Sequence, residues 1–124
     1  MKFTLVAGYN SSNNGMNFDG FSEGVLVIDI PTGWTANVTC RNKASSNQSC
    51  ALVDGPGATQ PSIPGAGTPK PQSGLPAGQS AAFSFTAPSP GEYRLSCLVP
   101  GHEDAGMWVT LVVISSGSPS ASAF

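Results

Sequence analysis

Hydrophobic positions along the chain fall in short runs that either alternate with polar residues or are β-branched throughout, and none recurs at the spacing of an amphipathic helix. Met1-Lys2-Phe3 opens an alternating stretch. Residues 25–30 form a β-branched run closed by Pro31-Thr32-Gly33, and residues 37–40 and 50–53 keep the same strand-and-turn rhythm. Residues 83–86, 93–98 and 109–114 complete about seven or eight short strands. That pattern predicts an all-β fold, a two-sheet Greek-key sandwich. Its body is expected over residues 1–114. Within it, residues 54–79 carry Pro56, Pro61, Pro64, Pro69, Pro71 and Pro76 with hardly any periodicity, and are expected to form one long loop, either a surface insertion packed over a sheet or a docking element. Residues 115–124 are expected to be a flexible C-terminal tail.

Composition narrows the functional classes. With 124 residues the chain is one domain with room for a real core. Only 10% of residues are charged and the net charge is −2. Lys2, Arg41, Lys43, Lys70 and Arg94 are too few and scattered to neutralise a run of phosphates, which argues against nucleic acid. So sparse a charge suits an acidic exterior. No apolar stretch reaches membrane-spanning length, and the first residues read as a strand, not a signal peptide. Trp34 and Trp108 are expected in the core or near a site. The sequons at Asn10, Asn37 and Asn47 are weak signals of a surface outside the cell.

The candidate chemistry sits in Cys97-Leu98-Val99-Pro100-Gly101-His102-Glu103-Asp104-Ala105-Gly106-Met107-Trp108. Singly, each member has an ordinary role: Cys97 as a small buried hydrophobe, Met107 as core filler, His102 as a satisfied histidine. Together, a thiol, the chain's one imidazole and a thioether are spaced so that a loop between two strands can fold them around one ion. Pro100-Gly101 and Gly106 permit the tight turns this needs. A trigonal centre of two imidazoles and one thiolate with a weak axial thioether is the blue-copper arrangement, and this loop supplies all of it but one imidazole. Glu103 and Asp104 are expected in a solvated turn. With no paired carboxylates and no nucleophile beside a base, the chain does not read as an enzyme. Cys40 and Cys50 leave two alternatives: a disulfide across an antiparallel hairpin, suited to an oxidising exterior, or a free Cys50 offering a second thiolate. The bridge would leave Cys97 as the odd, free cysteine.

The 97–102 and 105–108 stretches closely resemble the copper loop of the sulfocyanins, blue copper proteins of the cupredoxin superfamily. Phe83-Ser84-Phe85-Thr86-Ala87, Pro90-Gly91-Glu92-Tyr93 and Asn17-Phe18-Asp19-Gly20-Phe21 are similar to that family as well. The resemblance covers the chain from its first strand to Ile114. It implies a cupredoxin sandwich with one type 1-like copper held by Cys97, His102 and axial Met107. It further implies single-electron transfer between redox partner proteins of a respiratory chain, an apolar docking patch about Leu98, Val99, Pro100, Ala105 and Trp108, and a monomer outside the cytoplasm whose export or anchor segment has been removed. One departure stands out: the family's first histidine ligand falls where this chain has Gln48, in Asn42-Lys43-Ala44-Ser45-Ser46-Asn47-Gln48-Ser49. An amide oxygen is a harder, weaker donor than imidazole. Either Gln48 or a water completes the site, or Cys50 substitutes, or copper has been lost. The last case would leave an extracytoplasmic binding or structural protein, and a Cu(I) carrier using Cys97 and Met107 is a further alternative.

Overall fold

The computed structural model describes residues 1–123. Among these, eight strands form two sheets: β1 (Lys2–Ala7), β2 (Leu26–Pro31), β3 (Thr35–Asn42), β4 (Ala51–Val53), β5 (Ser80–Thr86), β6 (Gly91–Ser96), β7 (Trp108–Ile114) and β8 (Ser120–Ala123). One sheet has the order β1-β3-β5, the other β4-β6-β7-β2-β8. The all-β sandwich expected from the pattern is therefore present. No helix among the described residues is long and apolar enough to cross a membrane.

Alternation decides which side chains meet between the sheets, since successive residues of a strand face opposite ways. On β3, Ala36, Val38 and Cys40 are buried while Asn37 and Arg41 are exposed, and on β5 Phe83 and Phe85 alternate with Ser84 and Thr86. The opposing sheet contributes Ile28, Ile30, Leu95, Val109, Leu111 and Val113. Parallel pairings of β1 with β3 and of β2 with β7 join segments far apart in sequence.

Three expectations need correction. Residues 120–123 are not a loose tail but pair antiparallel with β2, from Leu26↔Ala123 to Asp29↔Ser120. All four are exposed, so backbone pairing and not side-chain burial holds them, and their Ser/Ala pattern carried no apolar phase to announce a strand. Phe124 lies outside the described residues. Trp34 is 45% exposed in the turn between β2 and β3 and belongs to neither the core nor the site. The cysteine bridge Cys40–Cys50 exists, with Cα atoms 6.1 Å apart, but it ties β3 to the residue before β4 and so links the two sheets, not two strands of one hairpin.

Candidate metal centre

The centre is assembled where the connection before β4 meets the loop leaving β6. Strands β6 and β7 are antiparallel neighbours, with Ser96 opposite Trp108, so the loop between them must begin and end at one place. It closes on itself: the Cys97 amide donates to the Met107 carbonyl at 3.1 Å, and the Met107 amide donates to that of His102 at 3.1 Å. Gly101 and Gly106 take the left-handed conformations (φ 84° and 105°) the turns require. The far side is braced by the N-terminal segment. Asn13 Nδ2 donates to the Ala105 carbonyl at 2.8 Å and the Glu23 amide to that of Gly106 at 2.7 Å.

Gln48 comes from the connection between β3 and β4, the strand beside β6, and is held by the proline-rich loop. That loop folds back along residues 48–52, with Gln48 and Leu75 exchanging backbone bonds at 3.1 and 2.6 Å and the Leu52 amide donating to Ala66 at 2.9 Å. Leu75 and Ala66 enter the core. Gly74 (φ 83°) passes so close that a β-carbon there would lie 2.9 Å from the Gln48 amide nitrogen and from Val99. The insertion thus packs over the sheet edge and fixes the position of Gln48.

Three donors converge. Cys97 Sγ lies 3.2 Å from Gln48 Oε1 and 3.4 Å from His102 Nδ1, and His102 Nδ1 lies 2.9 Å from Gln48 Oε1. The Gln48 amide nitrogen donates to Ser46 Oγ at 3.3 Å, which turns the oxygen toward the thiol and the ring. Donors bound at roughly 2.0–2.3 Å to one ion stand roughly 3.3–3.8 Å apart in a tetrahedral arrangement. The two sides at the Cys97 sulfur, 3.2 and 3.4 Å, are near that range, while the 2.9 Å side between Gln48 Oε1 and His102 Nδ1 is a hydrogen-bond distance and would have to open by a few tenths of an ångström. Gln48, Cys97 and Met107 are fully buried. No group of three or more His, Cys, Asp and Glu able to hold a metal occurs among the described residues, so Cys97 and His102 would need donors of another kind to complete a site here. The disulfide removes Cys50 as a substitute ligand and leaves Cys97 free.

Burial sets the protonation of the pair. It pushes the Cys97 thiol up, opposed by hydrogen bonds from Ser49 and Val99 and assisted by the nearby Glu103 charge. Burial also lowers His102. At neutral pH the thiol keeps its proton and the imidazole is neutral, so a bound cation would release the thiol proton. Two residues not foreseen from sequence shape this environment. Ser49 donates its amide to Cys97 Sγ at 3.3 Å, and its hydroxyl accepts from the Leu98 amide at 2.9 Å. Adjacency to Gln48 was the only signal. Glu103 was expected in a solvated turn, but its carboxylate accepts from Ser96 Oγ at 2.6 Å and the Gly57 amide at 2.9 Å. It also lies 3.7 Å from Arg94, whose guanidinium stacks 3.6 Å from the Trp108 ring centroid. The hydroxyl of buried Ser96 needs an acceptor, and Glu103 is the one in reach. Asp104 is exposed, as expected.

The architecture is that of the cupredoxins. An auracyanin from Roseiflexus castenholzii superposes with a TM-score of 0.66 at 23% identity, covering 91% of this chain and 96% of that one. Rusticyanin from Thiobacillus ferrooxidans gives 0.60 at 23% identity, covering 91% and 77%. In sequence, the sulfocyanin (SoxE) domain matches residues 2–121, and a sulfocyanin of Sulfolobus acidocaldarius is 35% identical over 121 residues. The chain belongs to the sulfocyanin family. The alignment takes in 88% of this chain and 61% of that relative's length.

Proposed function

We propose that this domain holds one type 1-like copper and passes single electrons between redox partners. The observation that carries the reading is the convergence of Cys97 Sγ, His102 Nδ1 and Gln48 Oε1 within 3.4 Å of one another in a buried pocket. The donor set suits copper: a Cys97 thiolate would favour Cu(I), the His102 imidazole would serve both oxidation states, and the buried Met107 would supply a weak thioether donor. Copper, when bound, supplies the one-electron exchange between Cu(I) and Cu(II).

The residues do the rest. Cys97 is the strong donor, and the Ser49 amide steadies its sulfur. Gln48 contributes a neutral oxygen whose place is fixed by Ser46 and Leu75. His102 is partly exposed beside Val99, Pro100 and Ala105, a small apolar surface suited to brief docking. We place the protein outside the cytoplasm, as a monomeric carrier serving respiratory partners, on the strength of its disulfide, sparse charge and family.

One observation favours a second reading. Gln48 Oε1 can accept from both the Cys97 thiol and His102 Nδ1–H, so the pocket satisfies itself without metal, as a copper-free binding protein would need. Titration with Cu(II), followed by visible absorption, electron paramagnetic resonance and thiol counting, separates the two. An intense thiolate-to-copper band with loss of the single free thiol is the expected result. A folded protein with Cys97 free and no such band would overturn the electron-transfer reading in favour of the copper-free protein or a Cu(I) carrier.

A further inference from the structure

Gln48 also lines a cavity of about 380 Å³ whose walls include neither Cys97 nor His102. By volume it has room for about ten waters. It is lined by Asn10, Asn14, Lys43, Ser45 and Ser46, with Gln48 among its walls although that residue is fully buried, so Gln48 sits at the inner end. Among the described residues its lining holds one cation and no carboxylate. The Lys43 ammonium stands at the exposed edge, 5.3 Å from the Tyr9 ring centroid.

These facts bear on the weakest donor of the centre. The Gln48 side-chain nitrogen is held by one long hydrogen bond, from Nε2 to Ser46 Oγ at 3.3 Å, and Ser46 is itself part of the cavity wall. Oε1 is held only by the Cys97 thiol and His102 Nδ1, whose protons it would lose if both groups bound a cation. A neutral amide oxygen competes poorly for a cation against an anion. Next to it lie free volume, hydrogen-bonding side chains and a positive charge.

We propose that this cavity admits a small monodentate inorganic anion that takes the place of the Gln48 oxygen beside Cys97 and His102, a proposal that rests on the copper reading above. The exchange moves no electron: a neutral oxygen leaves, an anion enters, and the net charge at the ion falls by one. Lys43 draws the anion in, Asn10, Asn14 and Ser45 solvate it on the way, and Gln48 swings toward Ser46 as it yields.

The test is a titration of the Cu(II)-loaded protein with sodium azide at constant ionic strength, read by visible absorption and electron paramagnetic resonance. A saturable change in both spectra is expected. Ser45→Trp, which fills the cavity from an exposed position, and Gln48→His, which replaces the weak donor by imidazole, should each raise the apparent Kd by about tenfold or more. Lys43→Gln should raise it by about threefold and flatten its dependence on salt. A protein that shows the thiolate band yet ignores azide overturns this proposal alone, as does an azide response in Ser45→Trp and Gln48→His equal to that of the parent. A protein that takes up no Cu(II) overturns the copper reading and this proposal with it.

Discussion

Ser49 shows how one side chain serves two neighbours at once. Its amide points at Cys97 Sγ while its hydroxyl takes the buried amide of Leu98, so the residue joins the Gln48 segment to the first turn of the 97–108 loop. Replacing the hydroxyl leaves a buried N–H without an acceptor, which costs about 1–3 kcal/mol. Ser49→Ala should therefore lower the denaturant midpoint by that amount while the Ser49 amide still faces the sulfur. Ser49→Thr, which keeps the hydroxyl, should recover most of the loss. An unchanged midpoint in Ser49→Ala would mean that water reaches the Leu98 amide. The individual residues of the 97–108 loop were legible because thiol, imidazole and thioether stand in one run of chain. Gln48 was placed only by comparison with a known family, since nothing in its immediate neighbours marks an amide as a donor. The inward turn of Glu103 was hidden for a related reason: its partners Ser96, Gly57 and Arg94 come from three different segments.

At the scale of elements, the bridge between Cys40 and Cys50 is the one covalent tie between the sheets, among the described residues, and it anchors the segment that presents Gln48 and Ser49. Its ends are 10 residues apart, and closing so short a loop in the unfolded chain is worth about 2–4 kcal/mol. The double variant Cys40→Ala, Cys50→Ala should lose that much stability in denaturant unfolding. Under the proposed copper reading it should still bind Cu(II) with an unchanged thiolate band, because the thiolate that reading uses is Cys97. A band lost in a folded double variant would show that the bridge and not the loop positions the site. The strands themselves were readable wherever one face is buried, as in β3 and β5, because alternation records burial. β8 was not, since its four residues are exposed on both faces. Nor was the return of the proline-rich loop along residues 48–52: its pairing uses backbone groups, which every sequence carries alike.

The whole molecule brings Gln48 and Cys97 together across 49 residues of sequence, through a topology of parallel crossovers that local patterning cannot specify. What the sequence does expose at this scale is its thrift with charge, and Asp19 shows how that bears on acid. Its carboxylate accepts from the Val6 amide at 2.7 Å, yet partial burial raises its pKa above the ordinary value, outweighing that bond. A carboxyl whose pKa is raised by folding contributes stability that is complete below its unfolded pKa and is lost as pH climbs through the folded one. Asp19 therefore favours the fold in acid and burdens it at neutral pH, the reverse of a salt-bridged carboxylate. Asp19→Asn keeps an oxygen for Val6 and suits the left-handed backbone at this position, where φ is 54°. The variant should be more stable than the parent at about pH 7 and nearly equal to it at about pH 3, as read from thermal unfolding across that range. If the parent proves the more stable of the two at neutral pH, the Val6 bond outweighs the desolvation, and Asp19 does not favour the fold in acid.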